Sequence, residues 1–173
     1  MDLKNYKNTS FYLFISVLVI VLFRLILTAA IPLLDKTESR YGEIARIMYE
    51  TKNWVVPQID YGTPFWAKPP LSTWLSAISF ETFGVSEISA RFPSFLLAII
   101  LLILIGKLAK KEGVSIYLPA FILLTMPEFL IHTGVVSTDS ALAFSIVLIM
   151  ISFWKAMQNE KYSFWNYLFF IAL

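Results

Sequence analysis

The residues able to do chemistry are few, and most of them follow one apolar run. Asp35 and Glu38 stand three apart where that first run ends. A carboxylate at a membrane–water boundary can act as a base. The same Asp-x-x-Glu spacing also reads as a helix N-cap with an acid at its third position, so capping and catalysis both stay open. Arg40 and Tyr41 follow at once. An arginine there can grip a phosphate through two N–H groups, or be a helix charge paired with Glu43. Lys68 lies in W-A-K-P-P, between aromatics and a Pro-Pro turn. It is a point charge suited to an anionic phosphate, or a lysine that snorkels to the interface. Asp139, in V-S-T-D-S-A-L, stands at the mouth of an apolar helix. An acid there is costly unless it reacts, pairs or caps backbone donors. Arg24 and Glu128, inside apolar runs, read as a pair that fixes helix packing, and His132 as an interfacial polar residue. There is no cysteine and one histidine, which excludes thiolate chemistry, disulfides and His-rich metal clusters.

The elements that carry these residues are set by composition. Of 173 residues, 58% are hydrophobic and 15% charged. Mean hydropathy is +0.71. A soluble fold of this size cannot hide that much apolar surface, and a multi-span membrane protein is the class that remains. Fourteen Lys and Arg against twelve Asp and Glu is too balanced for a nucleic-acid partner. Residues 11–34 are long enough, at about 36 Å as a helix, to cross a ~30 Å hydrocarbon core. Further spans are expected over 88–107, 114–134 and 138–156, with a fifth starting at 164. The run 114–134 is interrupted by Pro119, Pro127 and Glu128. Ten residues from Phe164 to Leu173 cannot span a bilayer, so the sequence reads as the N-terminal part of a longer protein.

Positive charge sets the expected orientation. Lys4 and Lys7, then Lys107, Lys110 and Lys111, then Lys155 and Lys161 fall on one side if four spans alternate. That side is the cytoplasm, with the segment 35–87 outside. This outer segment is too long for a mere connector. Residues 38–50 place Tyr41, Ile44, Ala45 and Met48 at helical spacing, which predicts a short amphipathic helix along the membrane surface. Four prolines forbid a continuous helix over 54–70, and residues 70–83 predict a second juxtamembrane helix stopped by Gly84.

Four pieces follow in order: D-K-T-E-S-R-Y-G-E-I-A-R (35–46), N-W-V-V-P (53–57), Y-G-T-P-F-W-A-K-P-P-L-S-T-W-L (61–75) and F-G-V-S-E-I-S-A-R-F-P-S (83–94). This succession resembles the first outer loop of the GT-C membrane glycosyltransferases, closest to the lipid A aminoarabinose transferases and their protein O-mannosyltransferase-like relatives. The resemblance covers about residues 20–145. It implies an all-α polytopic fold, GT-C-like, with juxtamembrane helices in the first outer loop. It also implies transfer of a sugar from a polyprenyl-phosphate donor to an outer-face acceptor (lipid A, protein or another glycan) at the cell's inner membrane. In that setting Glu38 is the expected base, with Asp35 second and Asp139 near the cleft. Lys68, Arg40 and Tyr41 are expected to hold the donor phosphate. Two departures stand out. Many relatives carry adjacent Asp-Glu where this chain has Thr37-Glu38, and the residue before the lysine, commonly acidic and a metal ligand, is here Ala67. No metal ligand is therefore carried over, although outer-loop acids remain compatible with a divalent ion. No Gly-rich phosphate fingerprint is present, so no flavin, nicotinamide or haem is expected. The stretch by itself is expected to be inactive. The alternative readings are a membrane transporter or channel, since intramembrane charges can mark an ion path, and a non-catalytic membrane subunit.

Overall fold

The computed structural model describes residues 3–158 and 164–173; Lys161 lies outside the described residues. The elements in chain order are α1 (Leu3–Ala30), α2 (Lys36–Thr51), β1 (Gln58–Asp60), β2 (Thr63–Pro64), α3 (Leu71–Phe83), α4 (Glu87–Lys111), α5 (Tyr117–Thr125), α6 (Pro127–His132), α7 (Asp139–Met157) and α8 (Phe164–Ala172). The fold is all-α but for a two-stranded antiparallel hairpin. Among the described residues, three helices are long and apolar enough to cross a membrane: Asn8–Ala30, Glu87–Lys111 and Asp139–Met157.

The local chemistry explains the boundaries. Helix α1 ends at Ala30 because Ile31 precedes Pro32, which drives it out of the helical region. Asp35 starts α2: its carboxylate accepts from the backbone N–H of Thr37 at 2.8 Å and of Glu38 at 3.1 Å. Helix α2 ends on Lys52, which is left-handed at φ 56° and is held by Glu81 at 2.9 Å and by the Tyr49 ring. Gly62, at φ 79°, makes the tip of the β1–β2 hairpin.

The expected apolar face of α2 is real. Tyr41, Ile44, Ala45 and Met48 are all buried. They are covered by protein rather than by lipid. Phe80 of α3, Ala90 of α4 and Val136 close over Tyr41, Ile44 and Ala45 in one cluster. Close packing of α3 on α4 rests on small residues, and the Ser76 hydroxyl donates to the Ala90 carbonyl at 3.0 Å. The expected span over 114–134 is not one helix. The chain breaks at Met126, before Pro127, into α5 of nine residues and α6 of six. Pro127 has no N–H to continue the ladder, so it starts a new helix at its first position instead. At about 14 Å and 9 Å, neither half crosses a bilayer alone.

One end of the helices gathers several lysines. Ser10 and Ser115 bring their hydroxyls within 2.8 Å, which joins the first half of α1 to the turn that follows Lys107, Lys110 and Lys111. Lys155, near the end of α7, lies beside Lys111. At the other end, Arg24 of α1 reaches the Ile131 carbonyl of α6 at 2.7 Å. A cysteine replacing Asp60 is therefore expected to react with a membrane-impermeant thiol reagent in intact cells, and one replacing Lys110 to react only after permeabilisation. The opposite pattern would invert the arrangement.

Candidate functional site

Glu38 is buried at 4% exposure. Its Oε1 accepts from Arg91 Nε at 2.7 Å and from the Val136 backbone N–H at 3.0 Å. Its Oε2 accepts from Arg91 Nη2 at 2.8 Å. Arg91 is itself buried and spends its remaining donors on the carbonyls of Thr28 at 2.9 Å, Pro32 at 3.1 Å and Ile31. Glu38 is thus closed off by α1, α4 and the segment before α7. The base expected at Glu38 would have to work from within this closed pair. A general base must meet the proton it removes, and both oxygens here are already engaged away from open space. The capping-box reading is corrected in part. Asp35 caps α2, while Glu38 reaches across the fold rather than back to Asp35.

Asp35 is exposed, and the N–H groups of Glu38 and then Thr37 hold its carboxyl below the usual range. Arg40 is half-buried and has no hydrogen bond or ion pair among the described residues. The expected Arg40–Glu43 pair is replaced by Arg46, which bridges Glu43 at 2.6 Å and Glu50. Arg46 holds Glu43 below its ordinary range, and the Tyr61 hydroxyl, then Arg46, do the same for Glu50. Tyr41 is packed in the cluster under Phe65, ring centroids 6.2 Å apart, so its ring serves the core.

Lys68 is exposed at the rim of a cavity of about 410 Å³, together with Ser72 of α3 and Thr138, Leu142 and Ile146 of α7. Asp139 lines a second cavity, about 480 Å³, with His132, Glu128, Phe129 and Leu101. The first turn of α7 stands between the two. Asp139 does not cap this helix: Thr138 holds the N-cap position, and neither side chain caps the backbone. Its carboxylate instead lies 3.3 Å from His132 Nδ1. Glu128 lies 3.1 Å from His132 Nε2 and is largely exposed. The expected Arg24–Glu128 pair is therefore absent. Arg24 hydrogen-bonds a backbone carbonyl, and Gly134 makes room for it, since a Cβ there would sit 2.8 Å from the guanidinium carbon. Among the described residues no group of three or more His, Asp or Glu is placed to hold a metal ion. Sequence reading missed Arg91. Its signal was an arginine near the start of an apolar run, a position that demands a partner.

A family model described as dolichyl-phosphate-mannose-protein mannosyltransferase matches residues 8–173. The chain is 34% identical over 137 residues to an undecaprenyl phosphate-alpha-4-amino-4-deoxy-L-arabinose arabinosyl transferase of Wigglesworthia glossinidia brevipalpis, covering 76% of this chain and 24% of that protein. It is 30% identical over 116 residues to the protein of the same name from Shewanella sediminis, covering 62% and 21%. A third relative so named, from Aeromonas hydrophila, is 40% identical over 63 residues, 36% of this chain and 11% of its own length. The chain thus spans about a quarter or less of these relatives. No solved structure matches it.

Two outcomes are expected from this geometry. Arg91→Ala strands the buried Glu38 carboxylate and should destabilise the protein by about 3–5 kcal/mol, read by thermal unfolding in detergent. Glu38→Leu with Arg91→Met should be milder than either single change, because no charge is left buried and unpaired. Acid titration tests the surface. Asp35, Glu43 and Glu50 are all held below their ordinary values. Their contribution is therefore complete above the unfolded carboxyl range and lost as pH falls through the lower folded values. Asp35→Asn should keep the cap, since the amide oxygen also accepts, and should remove that group's share of the acid sensitivity.

Proposed function

We propose, from the premise that this chain belongs to the dolichyl-phosphate-mannose-protein mannosyltransferase family, that it serves the transfer of a sugar from a polyprenyl phosphate to an outer-face acceptor. The observation that carries this reading is the pairing of Lys68 with an apolar cavity, one residue short of Asp139. A polyprenyl phosphate has the same two parts, an anionic head and a hydrocarbon tail. Leu142, Ile146 and Ile149 offer apolar wall to the tail, and Lys68 offers charge to the head. The names of the relatives favour undecaprenyl phosphate as the carrier and an amino-deoxy pentose as the sugar.

In the proposed step the acceptor oxygen attacks the anomeric carbon of the sugar. The bond from that carbon to the phosphate oxygen breaks, and the electron pair leaves with polyprenyl phosphate. Lys68 offsets the charge that builds on the leaving phosphate. Arg40, unpaired on the exposed start of α2, is a second cation for the same head group. Asp139 takes the acceptor's proton. Of the three acids that sequence points to, Asp139 faces a cavity, Glu38 is sealed by Arg91, and Asp35 is committed to two backbone N–H groups. The acceptor is a hydroxyl or phosphate oxygen on lipid A, a protein or another glycan. The lysine-rich helix ends face the cytoplasm, the cavities open toward the outer leaflet, and the membrane is the cell's inner one.

The test supplies radiolabelled undecaprenyl-phosphate sugar to membranes that hold the protein expressed from its whole reading frame. Label should pass to an endogenous acceptor. Lys68→Ala should raise the donor KM by about tenfold or more, consistent with loss of a charge-assisted contact, while insertion is unchanged. Asp139→Asn should lower turnover by about 10²-fold or more and leave donor KM within twofold. Normal donor KM in Lys68→Ala would reduce that residue to an interfacial lysine. Normal turnover in Asp139→Asn would move the base elsewhere.

A further inference from the structure

Asp139 is half-exposed, with 54% of its side chain open, and no backbone donor caps it. A base so placed has several rotamers available, and something must select one. The candidate is His132. Its Nδ1 lies 3.3 Å from Asp139 Oδ2 and has no hydrogen-bond partner as it stands. Its Nε2 lies 3.1 Å from Glu128 Oε1. The imidazole therefore spans two carboxylates on different helices, one at the start of α6 and one at the start of α7.

The backbone that carries the ring is anchored to two neighbouring elements. Its own carbonyl accepts from the Ser140 hydroxyl at 2.8 Å, which ties the end of α6 to the first turn of α7. The adjacent Ile131 carbonyl accepts from Arg24 at 2.7 Å, which ties the same end to α1. Gly134 allows that approach. Arg24, α6, His132 and Asp139 thus form one continuous support.

We infer that His132 is the positioning residue of the transfer reaction: its doubly protonated ring donates Nδ1–H to the Asp139 carboxylate, holding it toward the second cavity, and Nε2–H to Glu128, which fixes the ring. The inference rests on the reading of Asp139 as base. It also assigns a use to the Pro127 break. A continuous helix would carry residue 132 onward in register with α5, whereas the restart at Pro127 sets the ring independently against α7. Small closure is all that is needed, because catalytic hydrogen bonds are often long before substrate binds.

The experiment measures turnover and donor KM with radiolabelled undecaprenyl-phosphate sugar, in the protein expressed from its whole reading frame and normalised to inserted protein. His132→Ala should lower turnover by about 10- to 100-fold, the size of a misplacement near 1 Å. Donor KM should stay within twofold, because the donor cavity lies on the other side of α7. His132→Asn, whose amide N–H approximates Nδ1–H, should recover most of the loss. In an Asp139→Asn background, His132→Ala should add little, since two residues acting as one unit are not additive. Unchanged turnover in His132→Ala, with Asp139→Asn inactive, would overturn the positioning role and leave the base assignment standing. Equal loss in the Ala and Asn variants, with donor KM raised in both, would make His132 a folding residue and overturn it too. Full turnover in Asp139→Asn would defeat the base assignment, and the positioning role with it.

Discussion

A guanidinium with five N–H donors needs five acceptors when water is excluded, and the fold is arranged around supplying them to Arg91. Three come from carbonyls at the end of α1, where the helix has run out of its own donors. The other two contacts are the Glu38 carboxylate. Those carbonyls are free because Pro32 ends the helix there, and Glu38 is in reach because Asp35 starts the next one three residues earlier. Three sequence features therefore converge on one side chain. Removing any of them leaves a buried polar group without a partner, which is costlier than never having buried it. The Val136 N–H on Glu38 extends the same network to the segment that leads into α7. Helices α2 and α4, the end of α1 and the approach to Asp139 are consequently fixed to one another at a single point.

An acid in a motif can thus serve the fold through one buried partner. The register Glu-x-Arg-Tyr puts Glu38 on the buried face of α2 with Tyr41 and Ala45, and Arg40 on the rim. Residues two apart on a helix do not share a side, so Glu38 and Arg40 cannot both face the core. Burial of Glu38 and openness of Arg40 are two expressions of one helical phase.

Much of this was readable in the chain. Period 3.6 gave the buried face of α2, and Asp35 before a polar first turn gave its cap. Apolar length gave α4 and α7 nearly to their ends, whereas the first run, expected over 11–34, is a helix over Leu3–Ala30. What stayed hidden depends on distance along the chain. Glu38 and Arg91 are 53 residues apart, and no periodicity links them. Arg24 was expected to seek an opposite charge, yet its partner is the Ile131 carbonyl, and carbonyls carry no signature in sequence. Asp35 and Asp139 look alike as first-turn acids. Only the backbone around them decides that one caps and the other does not. At 114–134 three interruptions were expected, at Pro119, Pro127 and Glu128, and the helix breaks at Pro127 while Pro119 stays inside α5.

That division has a consequence for the solvent around it. Peptide groups left out of a helical ladder are not tolerated against hydrocarbon; they survive where protein covers them or where water reaches them. Met126 and Glu128, on either side of the break, both line the cavity that holds Asp139. Glu128 is 86% exposed there, which no carboxylate would be against acyl chains. Hydrocarbon is therefore excluded as the neighbour of the Met126–Pro127 break, and either protein or water must meet the peptide groups there. The same requirement falls on the Glu128 carboxylate one residue further on, which shares that neighbour.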